Sequence, residues 1–155
     1  MKIMDFLNKK AISASLKATD KEGVIKELVD FLVKADGVAG KKDEIVKILM
    51  AREALGSTGI GQGIGIPHGK TANVKSLVAA FGLSKKGIDF ESLDGEPAYI
   101  FFLLLAPEES AGPHLKALAR ISRLLKDKYV RDMLRQAETE KDIVKVITDE
   151  DLKKQ

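Results

Sequence analysis

The sequence contains no cysteine and no tryptophan, and only four prolines and two histidines. Without cysteine there can be no disulfides and no thiolate metal site, which fits a reducing compartment. The two histidines, His68 and His114, have no acidic residue at ligand spacing beside them, so no metal and no cofactor is expected. The longest apolar run, "AYIFFLLLA" from Ala98 to Ala106, is about half of the ~20 residues that a membrane-spanning helix requires. Met1 to Lys10 holds no apolar stretch of the kind a signal peptide needs. A cytoplasmic protein with no direct membrane insertion is expected.

Charge of one sign is also missing. The 26 basic and 23 acidic residues leave a net charge of +3, and the two signs are interspersed, as in "KKDEIVK". A nucleic-acid surface would segregate basic residues and interleave aromatics among them, and neither pattern occurs, so no nucleic-acid partner is expected. A chain of 155 residues with 45% apolar residues is long enough to bury a core, and residues 1–155 read as a single domain.

Along the chain, "AISASLKA" (11–18) alternates as a strand does. Asp20 can cap a helix with apolar positions at Val24, Ile25, Leu28, Val29, Leu32 and Val33, ended by Gly37 and Gly40. A second helix runs from about Lys42 to Leu55, with Ile45, Ile48, Leu49 and Ala51 on its apolar face. The stretch "STGIGQGIGIPHGK" (57–70) alternates Ile60, Ile64 and Ile66 against glycines, and residues 77–83 and 98–106 read as buried strands. From His114 onward the pattern is helical: Leu115, Leu118, Ala119, Ser122 and Leu125 lie on one side, and two further helices follow. The order β-α-α-β-β-β-α-α-α predicts an α/β fold, a mixed sheet flanked by helices on both faces.

The glycine stretch invites comparison with phosphate loops. "GKT" at Gly69 to Thr71 ends like a Walker loop, but the required first glycine falls on Ile64, and Pro67 has no amide to donate. The dinucleotide pattern Gly-x-Gly-x-x-Gly fails from Gly59, Gly61 and Gly63 alike. His68 is left as the chemical group of the stretch. A largely neutral imidazole is a competent nucleophile toward phosphorus, and small neighbours give a donor room to approach. The backbone at Gly59, Gly61 and Gly69 is a candidate anion cradle. His114 follows Gly112 and Pro113 at the expected entrance of a helix, where anions are favoured. Arg52, near the end of the second helix, either complements the helix dipole or holds a phosphoryl oxygen, and its position is compatible with both roles.

Taken together, these residues resemble the IIA proteins of the phosphoenolpyruvate-dependent phosphotransferase system, in the fructose–mannitol–nitrogen class. Glu53, Ile60, Gly61, Ile64, Ile66, Pro67, His68 and Gly69 match that family's motif in register. Gly65 departs, standing where alanine is usual. "HLKALARISRLLKD" from His114 resembles the family's second histidine-bearing helix. The resemblance implies a three-layer α/β/α fold and a phosphoryl carrier without cofactor. It also implies that His68 is the acceptor, becoming a tele-phosphohistidine charged by the small histidine phosphocarrier protein, with His114 and Arg52 beside it stabilising the phosphoryl group. "REALGSTGIG" and "IDFESLDGEPAYIFFLLLAP" are most similar to the nitrogen-regulatory branch, usually a stand-alone chain acting on a regulated target protein. A sugar-specific IIA passing phosphate to a IIB component is the alternative within the family. A non-catalytic anion-binding module is the alternative outside it.

Overall fold

The computed structural model describes residues 1–36, 38 and 41–154. Its centre is β6 (Ala98–Ala106), apolar throughout apart from the half-buried Tyr99. Such a run can be satisfied only with cover on both faces and pairing on both edges. On one edge β6 pairs antiparallel with β5 (Val78–Ile88), which in turn pairs parallel with β1 (Leu7–Ser13). On the other edge it pairs parallel with β3 (Ile64–Gly65) and with β4 (His68–Lys70). Strand β2 (Gly59–Gly61) closes that side by pairing antiparallel with β3.

Helices α1 (Lys21–Asp36) and α2 (Lys42–Ala54) cover one face, where Leu28, Leu32, Ile45 and Leu49 pack with Phe101, Leu103 and Leu105. Helices α3 (Ala111–Lys126), α4 (Lys128–Gln136) and α5 (Glu140–Lys153) cover the other, where Ile121, Leu134 and Ile147 pack with Phe81, Phe102 and Leu104. The fold is the expected α/β/α arrangement with a mixed sheet.

Several local expectations need correction. The glycine stretch is not one strand but three short ones. Gly61, Gln62 and Gly63 have φ of 90°, 58° and 80°, a run of left-handed residues that folds β2 back on β3. Strand β1 starts at Leu7 rather than at 11, because the exposed Lys9 and Lys10 and a register shift between Leu7 and Ile12 interrupt its alternation. Strand β5 continues past Leu83 through polar residues to Ile88, with a register shift between those two. In α2, Val46 is buried and Ala51 is exposed. The larger error is in α3. Its buried stripe is His114, Ala117, Ile121, Leu124 and Leu125, while Leu115 is 68% exposed. The spacing of the leucines predicts a phase about one residue off, right for Leu125 and partly for Leu118 but not for Leu115. Gly37 and Gly40, expected to end α1, lie outside the described residues.

The glycines of the hairpin make room for a turn. A Cβ on Gly59 would come 2.5 Å from Ser92 Oγ and 2.9 Å from Ser92 Cα. The Gly59 carbonyl accepts a hydrogen bond from the Leu93 amide at 2.9 Å. At Gly65, a Cβ would meet the Phe101 ring at 3.0 Å. Phe101 and Phe90 pack together with ring centroids 5.1 Å apart, and they fill the space that the usual alanine would take. Because the Ser92 backbone cannot yield as a side chain can, Gly59→Ala is expected to lower the unfolding free energy by about 1–3 kcal/mol, measured by urea denaturation.

Candidate functional site

His68 opens β4, held on the edge of β6. The Leu104 amide donates to the Pro67 carbonyl at 3.0 Å, and His68 lies opposite Leu104 in the register. Side chains alternate along a strand. The missing side chain of Gly69 would face Ile48 and Leu49 of α2, so His68 and Lys70 face the other layer. There α3 delivers His114, one turn from its N-terminus, through the buried stripe described above. The two imidazoles meet edge to face, with centroids 5.7 Å apart and planes at 83°. With Lys70, Ala111, Leu115 and Leu118 they line a cavity of about 210 Å³.

Two hydrogen-bonding facts set the chemistry of this pair. His68 Nδ1 lies 2.7 Å from the Ile66 carbonyl oxygen. A carbonyl can only accept, so Nδ1 carries the ring proton and Nε2 keeps its lone pair. His114 Nε2 is buried and has no hydrogen-bond partner. An unsatisfied buried polar atom is uncommon and calls for a ligand or a function. Burial first, then the neighbouring His68 and the Lys70 charge, hold the pKa of His114 below its ordinary 6.5. The structure thus brings together His68, His114 and Lys70.

It places the other expected residues differently. Arg52 belongs to the layer that packs on Gly69, and its Nη1 donates to the Gly56 carbonyl at 2.7 Å. Among the described residues no hydrogen bond joins it to His68. The Gly59 amide donates to Ser57 Oγ at 3.0 Å, and Gly61 packs against Asp94, so both glycines serve the turn at residues 92–94 instead of lining the histidine cavity. Gly69 adjoins the site but faces α2. The sequence reading missed Leu115 as a rim residue; its apolar character was visible, and only the helix phase concealed its exposure. It also missed how Glu53 is used. That buried carboxylate accepts from the Thr58 amide and hydroxyl and pairs with Lys21 Nζ at 2.7 Å, tying the end of α2 to the start of the glycine hairpin. Among the described residues no cluster of three or more His, Asp or Glu side chains could hold a metal ion, and no helix is long and apolar enough to cross a membrane.

The lowered pKa of His114 makes stability depend on pH. The unfolded chain protonates this ring near its ordinary 6.5, while the folded protein takes up the proton only at lower pH. As pH falls below 6.5 the unfolded state binds the proton first, and stability is lost until the folded pKa is passed; well above 6.5 both states are neutral and the contribution vanishes. In thermal denaturation followed by circular dichroism, His114→Gln is expected to flatten the fall of Tm below pH 6.5 and to leave the curve parallel to wild type at higher pH.

Comparison with known proteins agrees with this geometry. Residues 5–150 match the family described as the phosphoenolpyruvate-dependent sugar phosphotransferase system, EIIA 2. A fructose-specific EIIABC component of that system from Bacillus subtilis strain 168 is 43% identical over 151 residues, covering 97% of this chain and 24% of that protein. A nitrogen regulatory protein from Bradyrhizobium diazoefficiens is 42% identical over 136 residues, 87% of each chain. The crystal structure of the nitrogen regulatory protein IIA-Ntr from Neisseria meningitidis superimposes with a TM-score of 0.86 at 30% identity, covering 94% of this chain and 98% of that one. The chain therefore belongs to the type 2 EIIA family of the phosphoenolpyruvate-dependent sugar phosphotransferase system.

Proposed function

We propose that His68 Nε2 is the atom that accepts the phosphoryl group in this phosphoryl carrier. The observation that carries the proposal is the hydrogen bond from His68 Nδ1 to the Ile66 carbonyl, because it leaves Nε2 as the nucleophile beside an unpartnered His114 Nε2. In the transfer, a new bond forms between His68 Nε2 and phosphorus. The N–P bond of the donor's phosphohistidine breaks, and its electron pair returns to the donor ring. The positive charge that develops on the His68 ring is shared with the Ile66 carbonyl through the retained Nδ1 proton. Neutral His114 donates one hydrogen bond to a phosphoryl oxygen, and the Lys70 ammonium adds favourable charge. Arg52 would join by exchanging the Gly56 carbonyl for a phosphoryl oxygen at the edge of the sheet, next to the bare backbone of Gly69.

The donor we assign is the small histidine phosphocarrier protein of the system, docking in the cytoplasm over the rim that Leu115 and Lys70 make. We place the chain, as one IIA unit of residues 1–155, in the nitrogen-regulatory branch. Its "STGIG" motif and the superposition on IIA-Ntr support that placement, and a regulated target protein is then the recipient of its signal. The 43% identity to a fructose-specific component supports a second reading, in which a IIB component takes the phosphoryl group for sugar uptake.

Incubation with phosphoenolpyruvate, enzyme I and the phosphocarrier protein tests the site. One equivalent of acid-labile, base-stable phosphate is expected on Nε2 of His68, assigned by nitrogen-15 NMR, and none on His68→Ala. Full labelling of that variant, or no labelling of the wild type, sinks the assignment; the latter leaves an anion-binding module. Losing a hydrogen bond to a charged oxygen costs about 1.5–3 kcal/mol, so His114→Ala is expected to accept phosphate on His68 yet to transfer it roughly 10- to 150-fold more slowly. In the phosphorylated wild type the new negative charge should raise the pKa of His114. An unchanged His114 titration would mean that the ring does not touch the phosphoryl group.

A further inference from the structure

A second concave site lies away from the histidines. Ser15, Lys17 and Thr19, in the loop between β1 and α1, face Ser84, Lys85 and Lys86 at the bulged end of β5 across a cavity of about 380 Å³. No acidic side chain lines it. Both walls are fixed. The Leu16 amide donates to the Leu83 carbonyl at 2.8 Å, and Glu27 accepts from the amides of Lys17 and Ala18, which turns its carboxylate toward the loop backbone. On the other wall the Gly87 amide donates to Ser84 Oγ at 3.1 Å. Gly87 has φ of 82°, with Tyr99 packed so closely that a Cβ would lie 2.6 Å from its ring. Lys85 Nζ donates to the Ala137 carbonyl at 2.8 Å, tying this wall to the turn between α4 and α5.

The ammonium groups of Lys17 and Lys86 have neither an ion pair nor a hydrogen bond among the described residues. Two unpartnered cations on facing walls of one concavity repel one another, and an anion placed between them relieves that repulsion. The volume lies in the range of small-molecule sites and exceeds what a bare phosphate needs. The Ser15 and Thr19 hydroxyls can meet the hydroxyls of a sugar or polyol. The site is also remote from His68. Leu104 lies between His68 and Ala79 in the sheet, and Ser84 is about 16 Å further along β5 from Ala79.

We propose that this cavity binds a small phosphate ester of a sugar or polyol, its phosphate between Lys17 and Lys86. The site has no part in phosphoryl transfer and would let the level of a phosphorylated metabolite be sensed by the same chain. The test is a nitrogen-15 NMR titration of the unphosphorylated protein with glucose 6-phosphate, with inorganic phosphate and citrate as separate arms. Saturable shifts are expected at the amides of residues 15–19 and 84–87, with inorganic phosphate and citrate binding at least about 10-fold more weakly. Lys17→Ala and Lys86→Ala, both at exposed positions, should each weaken binding by about 10-fold, the equivalent of one charge-assisted hydrogen bond. Shifts that do not saturate at millimolar ligand, that gather instead at His68 and Lys70, or that persist unchanged in the double variant would overturn the proposal. So would citrate binding as tightly as the ester.

Discussion

Strand β6 is apolar on both faces and paired along both edges, and the other elements are placed by its demands. Its residues can be buried only if helices come from both sides, which separates α1 and α2 from the three C-terminal helices. Its backbone can be satisfied only if strands flank it, and the chain provides β5 on one side and the broken run of β3 and β4 on the other. His68 stands at the join between that burial and the surface. Its backbone is docked on the best-buried strand in the molecule, yet β4 has no further strand outside it. The imidazole is therefore carried on a fixed backbone at an open edge of the sheet.

The second histidine reaches the same point by an unrelated route. His114 occupies a place in the buried stripe of α3. The burial that goes with that place keeps the ring neutral and leaves its Nε2 without a partner. Desolvation is the largest cause of the lowered pKa, followed by the neighbouring His68 and Lys70. The same helix phase pushes Leu115 out to the rim, so a single rotational setting of α3 supplies a polar atom inside the cavity and an apolar contact outside it.

Much of this was legible in the sequence, and what escaped has definite causes. The layers and the mixed sheet followed from long apolar runs, which depend on many residues and tolerate local error. One short motif singled out His68. The hairpin was read as a single strand because the left-handed conformation at Gln62 has no side-chain signature; it is imposed by neighbouring glycines and by Asp94, which accepts the Gln62 amide at 3.0 Å. The glycines looked like an anion cradle because absence of a side chain has the same appearance whether an anion or a serine fills the space. Counting a histidine among the core positions of α3 would have phased that helix correctly. Arg52 could not be settled from spacing, since its nearest acceptor is a backbone carbonyl.

The hydrogen bond between His68 and position 66 has a further consequence for how such a protein can evolve. The acceptor is a main-chain oxygen, so the tautomer of His68 is not encoded by any side chain at position 66. Aliphatic residues can replace one another there without altering which nitrogen carries the proton. Were the ring phosphorylated as proposed, the same bond would steady its charge and so tune how readily the N–P bond breaks. The energy stored per phosphoryl group would then be a property of backbone geometry. It is insulated from most substitutions, while Leu115, Lys70 and the rest of the rim stay free to diverge toward different partners.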